Sequence, residues 1–306
     1  MKKIAALVLS GLMLIGAASV VSAAEEYAYK VASPNGAPGL ALASLAVDNP
    51  EAYTYLAADT ITAEFANAES DFVIAPLNAG AKLYQAGKST YKLGAVVTWG
   101  NLYFASQREN FALEDINGAE ITLFAENTIN SSIALYVLEQ NGITPSAVSY
   151  LSGAADTQAL LLSDAEAIVL TAEPALTAAS MKNDKITSIS LNELYEKATG
   201  YDGYTQAGLF IRQQTIDEHP EAVESFLALA EESCGKCESD VEAVAQAAVS
   251  LEILPNEAVA MKAIPGCNIR FMKAADAKEQ VELTANVDLS QFGGAVPADD
   301  FYYGAE

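Results

Sequence analysis

Short apolar runs that predict β-strands alternate along the chain with longer apolar stretches that predict helices. Residues 27–33 and 71–75 have strand patterns, and each leads through a turn-rich loop, at 34–39 and 76–80, into a helical stretch. Further strands are predicted at residues 92–98, 102–106, 119–124, 149–151, 167–170, 188–191 and 205–211. This alternation predicts an α/β fold with doubly wound sheets flanked by helices.

The loops that follow the predicted strands carry amide, hydroxyl and small side chains. Ligands of open α/β sheets bind at the carboxyl ends of the strands. Free N–H groups at helix N-termini donate hydrogen bonds to polar ligand groups there. We therefore expect a binding site where several of these loops meet across one cleft.

The first 23 residues have the pattern of a cleavable secretory signal peptide. Lys2 and Lys3 form a positively charged start, an apolar stretch covers 4–18, and small residues at 21–23 fit a cleavage site. The alternative is a membrane anchor, but the apolar stretch is shorter than the roughly 20 residues that a spanning helix needs. Since no cysteine lies near the end of the stretch, we expect an exported protein without an N-terminal lipid.

Composition and charge remove several classes of function. The 306 residues include 16 Lys+Arg against 40 Asp+Glu, which gives a net charge of −24. A chain this acidic repels phosphate backbones and anionic lipids, so we expect no nucleic-acid partner. His219 is the single histidine, which excludes most Ser-His-Asp, Cys-His and multi-histidine metal chemistry. We therefore expect no catalytic residue, no metal and no cofactor.

Export changes the interpretation of the three cysteines, Cys234, Cys237 and Cys267. Disulfides persist in oxidising compartments, and an odd number leaves at least one thiol free or paired with another molecule. The CxxC spacing of Cys234 and Cys237 also occurs in redox sites and zinc ribbons, although zinc would need Cys267 and His219 as further ligands. We favour a structural disulfide between Cys234 and Cys267, with a redox role as the alternative.

Five segments, in order along the chain, resemble those of one protein family. They are APLNAGAKLY at 75–84, TWGNLY at 98–103, LEDING at 113–118, AIPGCNI at 263–269 and GGAVPADDFYY at 293–303. Behind a signal peptide, they make the chain similar to an extracytoplasmic solute-binding protein of an ABC importer, with the type II periplasmic-binding fold. The resemblance covers almost the whole mature chain and is greatest to the nitrate/sulfonate/taurine and NMT1/THI5-like (thiamine pyrimidine precursor) branch.

The resemblance implies an architecture and a mechanism. Lobe 1 would comprise 25–103 and 207–306, lobe 2 would comprise 104–206, and crossing strands near 101–105 and 204–208 would form the hinge. Ligand binding would favour the closed form through contacts made only on closure. A monomeric receptor would then deliver a small molecule to an ABC permease with its ATPase. The missing lipidation cysteine departs from monoderm members and implies a periplasmic location.

The strand-following loops and the resemblance together indicate a set of ligand-contacting residues. These are Asn35, Gly36, Ala37, Pro38, Leu77, Asn78 and Ala79 in lobe 1, Asn127, Thr128, Asn130 and Glu173 in lobe 2, and Trp99, Asn101, Tyr204 and Gln206 at the crossovers. Amides satisfy both donors and acceptors of a ligand, and an aromatic ring stacks on a flat one. Trp99 is equally consistent with a core aromatic, Asn35 and Asn78 with turn residues, and Glu173 with a helix cap.

This set contains one carboxylate and no lysine or arginine, which favours a flat, neutral or weakly basic heterocycle such as a thiamine pyrimidine precursor. The alternative ligand is a nitrate-, sulfonate- or taurine-type anion held by helix N-termini. An enzyme on the same fold is a further alternative. It is disfavoured because no serine has a plausible histidine partner and because the Cys-rich motif of the related pyrimidine synthases is absent from the sequence.

Overall fold

Two separate β-sheets organise the chain, and the computed structural model describes residues 27–58 and 60–305. The predicted signal peptide at 1–23 lies outside the described residues. In the part of the chain that is described, none of the helices has both the length and the apolar composition needed to cross a bilayer.

The strands are β1 (Val31–Pro34), β2 (Tyr53–Leu56), β3 (Phe72–Pro76), β4 (Tyr91–Thr98), β5 (Leu102–Ser106), β6 (Glu120–Phe124), β7 (Ala147–Leu151), β8 (Ile168–Ala172), β9 (Thr187–Ser190), β10 (Ala207–Arg212) and β11 (Ile269–Lys273). The α-helices are α1 (Ala37–Leu40), α2 (Ala43–Ala46), α3 (Glu64–Asn67), α4 (Leu77–Gln85), α5 (Ile129–Gln140), α6 (Ala154–Ser163), α7 (Ala175–Ser180), α8 (Leu191–Thr199), α9 (Gln213–Glu218), α10 (Pro220–Ser239), α11 (Val241–Ser250), α12 (Glu257–Ala263) and α13 (Ala274–Val287). Short 3₁₀ turns occur at Pro50–Ala52, Ile61–Ala63, Leu113–Ile116, Ile264–Cys267, Leu289–Phe292 and Asp299–Phe301.

The first sheet has six strands in the order β11-β4-β10-β3-β1-β2. β1 pairs in parallel with β2 and β3, whereas β10 runs antiparallel between β3 and β4. Helices cover this sheet, so its central strands are continuous apolar runs rather than alternating ones. Phe72, Val73, Ile74 and Ala75 of β3 are all fully buried. This sheet and its helices form lobe 1.

The second sheet has five strands in the order β7-β6-β8-β5-β9 and forms lobe 2 with its helices. β6 is parallel to β7 and β8, and β5 runs antiparallel to β8 and β9. The chain passes from β4 in the first sheet to β5 in the second through residues 99–101, and it returns from α8 to β10 through 200–206. The structure therefore confirms the predicted architecture of two α/β lobes joined by two crossovers.

Helix α10 shows how the sequence pattern covers the first sheet. Pro220 is the first residue of the helix, where a backbone N–H would have no partner within the helix, so its absence costs no hydrogen bond. Val223, Phe226, Leu227 and Ala230 follow at helical spacing and are buried. The ring of Phe226 stacks on Phe72 of β3 with centroids 3.8 Å apart. Each such buried side chain contributes roughly 1.5–3 kcal/mol of apolar transfer free energy.

The structure differs from the predicted elements mainly at the edges of the sheets. The first strand begins only at Val31, and the helical stretch predicted at 40–47 is divided between α1 and α2. Strands β2 and β11, at the two edges of the first sheet, are not among the predicted strands. Edge strands are partly solvated, and β11 has a half-buried side-chain pattern without clear alternation, so their periodic signal is weak.

Candidate functional site

The carboxyl ends of the central strands in lobe 1 lie along one edge of the sheet. Ala207, which begins β10, pairs with both Pro76 at the end of β3 and Thr98 at the end of β4. Ile269, which begins β11, also pairs with Thr98. The loops at 34–37, 76–79, 99–101, 204–206 and 264–268 therefore share this edge.

The second sheet has a matching edge. Leu102, which begins β5, pairs with Ala172 at the end of β8, and β6 and β7 run parallel to β8. The loops at 125–128, 151–153 and 173–174 therefore lie at this end of lobe 2. Because residues 99–101 join the two edges directly, the loop-bearing edges face each other, and we take the space between them as the candidate cleft.

Asn101 ties this cleft together at its base. Its side-chain Nδ2 donates to the backbone oxygen of Glu173 at 2.8 Å, and its Oδ1 accepts from Nε2 of Gln206 at 2.9 Å. The backbone nitrogen of Glu173 in turn donates to the oxygen of Asn101 at 2.9 Å. Asn101 and Gln206, one from each crossover, thus hold each other and the end of β8. Much of their hydrogen-bonding capacity is therefore used to join the two crossovers.

Glu173 is a buried carboxylate, with 8% of its surface exposed. Its two oxygens accept from Thr177, one from the backbone nitrogen at 3.1 Å and one from the hydroxyl at 2.9 Å. Burial raises the pKa of Glu173 above its usual range, and the two bonds from Thr177 oppose that rise only in part. Glu173 therefore caps the first turn of α7 and also presents a costly charge at the cleft.

Trp99 and Tyr204 are packed into the protein at the crossovers. The indole nitrogen of Trp99 donates to the backbone oxygen of Arg270 at 2.8 Å, and the Arg270 guanidinium lies 4.5 Å from the ring centroid. Tyr204 is 1% exposed and lies edge-on to Tyr195, with ring centroids 5.7 Å apart. One face of the Trp99 ring is therefore covered by the protein's own cation, which supports a structural role for Trp99 at the first crossover.

The first two loops of lobe 1 present their candidates in different ways. Asn35 is exposed, and its backbone nitrogen donates to the oxygen of Leu56 at 3.0 Å. Gly36 has φ of +89°, a conformation that favours glycine, and Ala37 and Pro38 open α1.

In the second loop, Leu77 is buried and its backbone nitrogen donates to the oxygen of Gln206 at 3.0 Å. Asn78 and Ala79 lie half-buried in the first turn of α4.

In lobe 2 the candidates at 127–130 start helix α5. Thr128 occupies the N-cap, where its backbone nitrogen donates to Oγ of Ser131 at 3.3 Å and its own hydroxyl donates to the oxygen of Ala125 at 2.7 Å. Asn127 is exposed with φ of +58°, and its oxygen accepts from Nε2 of Gln291 at 3.1 Å. Asn130 is half-buried. The cap is thus structural, while Asn127 is in contact with lobe 1.

The 264–268 loop and Tyr103 also lie at the cleft, although they are not among the sequence-derived candidates. The hydroxyl of Tyr103, on β5 of lobe 2, donates to the backbone oxygen of Gly266 in lobe 1 at 2.9 Å. The Pro265-Gly266 pair just before an edge strand is a turn signal that could have indicated this loop. A tyrosine within a strand gives no comparable signal.

Two cavities accompany the cleft. One of about 600 Å³ opens at the lobe 2 edge between the loops after β6 and β7 and is lined by Ala125, Glu126, Tyr150, Leu151, Ser152, Asp156 and Ala159. Another of about 590 Å³ lies beside the hinge, between α10 and β11, and includes Trp99 in its lining. Neither cavity unites the predicted residues of both lobes.

All three cysteines are free, buried thiols, and the predicted bond between Cys234 and Cys267 is not formed in the structure. Cys234 packs with Phe72 and Ala41, and its thiol lies 3.5 Å from the oxygen of Ala41. Cys267 packs in a different apolar cluster, which it shares with Cys237. Across residues 27–58 and 60–305, no group of three or more His, Cys, Asp and Glu side chains is arranged to hold a metal ion.

Two α/β lobes whose loop-bearing edges face each other across paired crossovers define the class of type II periplasmic-binding folds. The chain belongs to the NMT1/THI5-like family, because the family model described as "NMT1/THI5 like" matches residues 65–240, more than half of the chain. No curated protein sequence matches the chain.

Similar solved structures agree on the fold. A protein described as an ABC transporter from Parabacteroides distasonis has a TM-score of 0.78 at 20% identity, covering 91% of this chain and 99% of its own. The periplasmic aliphatic sulphonate binding protein SsuA from Escherichia coli has a TM-score of 0.66 at 14% identity, covering 85% and 84%. A putative nitrate transport protein from Thermoplasma volcanium has a TM-score of 0.54 at 15% identity, covering 88% and 95%.

Proposed function

We propose that the protein is an extracytoplasmic solute receptor, which captures a small molecule between its lobes and delivers it to an ABC importer. The observation that carries this proposal is the cleft itself: the polar loops of both sheets converge on two facing edges joined by short crossovers. Membership of the NMT1/THI5-like family and a fold shared with import-system binding proteins support it.

The chemistry of the cleft favours a flat ligand that donates hydrogen bonds, such as a thiamine pyrimidine precursor. The loops at both edges carry Asn35, Asn78 and Asn127 but no lysine or arginine, and the buried carboxylate is Glu173. A weakly basic heterocycle with an amino group would donate to Glu173 and return part of the free energy lost on burying that charge. Asn35 and Asn78 would then satisfy the ring nitrogens and the remaining substituents.

The second candidate ligand is a nitrate- or sulfonate-type anion. The proteins from Escherichia coli and Thermoplasma volcanium are described as sulphonate-binding and nitrate transport proteins. Helices α4 and α5 begin at Leu77 and Ile129, on opposite walls of the cleft. The N–H groups of their first turns, apart from that of Leu77, which donates to Gln206, would donate to an anion. The burial of Glu173 near the same edges opposes this choice through like-charge repulsion.

We take lobe 1 as 25–103 plus 207–306 and lobe 2 as 104–206, except that residues 102 and 103 are counted in lobe 2 because they begin β5 of the second sheet. We take the two crossovers as the hinge. The receptor acts as a periplasmic monomer after loss of residues 1–23, and its partners are a permease with its ATPase. It acts by binding rather than by catalysis, because the hydroxyl–carboxylate pair at the cleft, Thr177 with Glu173, is buried as a helix cap. Turnover of a candidate ligand by the purified protein would contradict this assignment.

Native mass spectrometry of gently purified protein tests the receptor function. A mass increment of one small molecule that persists in the native spectrum and disappears on denaturation is the expected result. Protein that carries no adduct, and that acquires none when incubated with either a pyrimidine or a sulfonate panel, would contradict the proposal.

A further inference from the structure

The 264–268 loop, between α12 and β11, is held firmly by lobe 1. Ile264 and Cys267 are buried in the apolar cluster formed with α10 and α11. The side-chain Nδ2 of Asn268 donates to the oxygen of Gly100 at 2.6 Å, and the oxygen of Asn268 accepts from the backbone nitrogen of Trp99 at 3.1 Å. The loop therefore moves with lobe 1 and with the first crossover.

The tip of this loop, Gly266, lies directly against lobe 2. Its oxygen accepts the hydroxyl of Tyr103 at 2.9 Å. A Cβ placed on Gly266 would be 3.0 Å from both Cγ of Glu173 and the Tyr103 hydroxyl, a distance tighter than ordinary side-chain contacts. Helix α12, which leads into the loop, also packs against α7 of lobe 2. A side chain at position 266 would therefore fit only if Glu173 or Tyr103 shifted by a few tenths of an ångström.

The two lobe 2 groups that touch Gly266 have little freedom to yield. Tyr103 lies within β5, which pairs on both sides with β8 and β9. The carboxylate of Glu173 is fixed by two bonds from Thr177, and the backbone of Glu173 is fixed by two bonds with Asn101. Close approach of the lobes at this point therefore depends on the absence of a side chain at position 266.

We propose that Gly266 is a closure latch. Its carbonyl accepts a hydrogen bond from Tyr103, and its Cα, which carries no side chain, packs against Glu173. These two contacts determine how completely the two lobes close. Gly266 acts through Glu173, which it holds in position at the cleft. It is therefore a positioning residue. The proposal rests on the proposed receptor function for its purpose, since apparent affinity scales with the fraction of closed, binding-competent protein. Its structural content is testable without any ligand.

Hydrogen exchange of the ligand-free full-length mature protein, followed by mass spectrometry of its peptides, tests the latch in both directions. In Gly266→Ala, exchange is expected to accelerate in lobe 2, in peptides covering 102–106 and 173–180. In Tyr103→Phe, exchange is expected to accelerate in lobe 1, in peptides covering 263–269. The expected acceleration is about two- to tenfold, the factor that corresponds to losing one ordinary hydrogen bond.

Matched controls separate the latch from a general loss of stability. Tyr84→Phe removes a tyrosine hydroxyl that donates to the oxygen of Asp300 within lobe 1, and Gly153→Ala adds a Cβ where no neighbouring atom lies within 4 Å. Neither control is expected to change exchange in the two segments. The latch is wrong if Gly266→Ala changes hydrogen exchange only in lobe 1 and Tyr103→Phe changes it only in lobe 2. It is also wrong if neither segment changes in either variant. If Gly266→Ala fails to fold, Tyr103→Phe alone decides, because it adds no atom.

A separate titration distinguishes this proposal from the proposed function. If the thiamine pyrimidine precursor binds the wild-type protein, Gly266→Ala is expected to raise its dissociation rate about two- to tenfold and to change its association rate much less. If the wild-type protein binds neither the pyrimidine panel nor the sulfonate panel, the receptor function is contradicted. The hydrogen-exchange result alone then tests the latch. Equal dissociation rates in wild type and Gly266→Ala contradict the latch while the receptor function stands.

Discussion

Burying the Glu173 carboxylate costs free energy, and its hydrogen bonds within the protein offset only part of that cost. The carboxylate has its bonds from Thr177, yet burial still raises its pKa, and Gly266 and Tyr103 close over it from another direction. The buried carboxylate therefore keeps an energetic cost that a bound hydrogen-bond donor, as in the proposed function, would reduce.

The Glu173→Gln variant tests the energetic cost directly. With its raised pKa, native Glu173 is still protonated at pH values where the unfolded residue is already ionised. Wild type therefore loses stability as the pH rises from the ordinary glutamate range through the raised pKa, and the variant does not. We expect the melting temperature of Glu173→Gln, relative to that of wild type, to rise as the pH increases above the ordinary glutamate range. Calorimetry from that range upward checks it, with exposed Glu139→Gln as control. A difference that stays constant with pH would contradict the cause given for the shift.

The same substitution tests the role of Glu173 in recognition. Hydrogen bonds to a charged group contribute about 1.5–3 kcal/mol, so Glu173→Gln is expected to weaken binding of an aminopyrimidine about tenfold or more. Titration calorimetry of both proteins with the thiamine pyrimidine precursor measures the change. Unaltered affinity would leave Glu173 as a helix cap only.

Single residues show what the sequence can and cannot predict about the site. Glu173, Asn101 and Gln206 were predicted at the cleft because they follow or precede strands, and strand ends are readable from sequence. That the Trp99 ring is covered by Arg270 depends on an edge strand far along the chain. Tyr103 and Gly266 meet only through the folding of both lobes, which local pattern does not encode.

At the scale of elements, the buried central strands and amphipathic helices were predictable, and the edge strands β2 and β11 were not. Helix α10 contains one feature that the protein's own packing does not explain. Gly235 lies in its middle, where no other atom would meet a Cβ within 4 Å, whereas a Cβ on Gly80 in α4 would collide with the ring of Phe210. A mid-helix glycine costs roughly 0.5–1 kcal/mol relative to alanine.

The two helix glycines therefore give opposite predictions. Gly235→Ala is expected to stabilise the protein by about 0.5–1 kcal/mol, a rise of roughly 1–4 °C in melting temperature. Gly80→Ala is expected to lower the melting temperature, since overpacking typically costs about 1–3 kcal/mol. Thermal unfolding of both variants beside wild type provides the check. Destabilisation by Gly235→Ala would contradict the open space that the structure shows around Gly235.

For the whole molecule, the two lobes are joined by more than the crossovers, because one apolar cluster contains residues of both sheets, such as Phe210 and Leu170. The lobes touch beside the 264–268 loop and again where Ser132 donates to Asp288 at 2.8 Å and Gln291 donates to Asn127. The fold class was predictable because strand–loop–helix units recur along the chain. Contacts between lobes were not, because they join residues far apart in the sequence, such as Ser132 with Asp288 and Asp202 with Arg270.

Trp99 provides an intrinsic reporter of the lobe movement, since it is the single tryptophan and lies in the first crossover. Addition of a true ligand is expected to shift or quench its emission, because closure changes the hinge that holds its ring against Arg270. Fluorescence titration with the thiamine pyrimidine precursor checks this, with exposed Asp202→Asn as a variant that loosens Arg270. Emission unchanged at a ligand concentration that saturates the heat of binding would place Trp99 outside the moving region.

Titration calorimetry of the wild-type mature protein with a pyrimidine panel and a sulfonate panel tests the central claim most directly. We predict saturable, one-to-one binding of a thiamine pyrimidine precursor and no heat with taurine, nitrate or alkanesulfonates. Binding of taurine or another sulfonate, with no heat from any pyrimidine, would contradict the ligand chemistry assigned to this cleft.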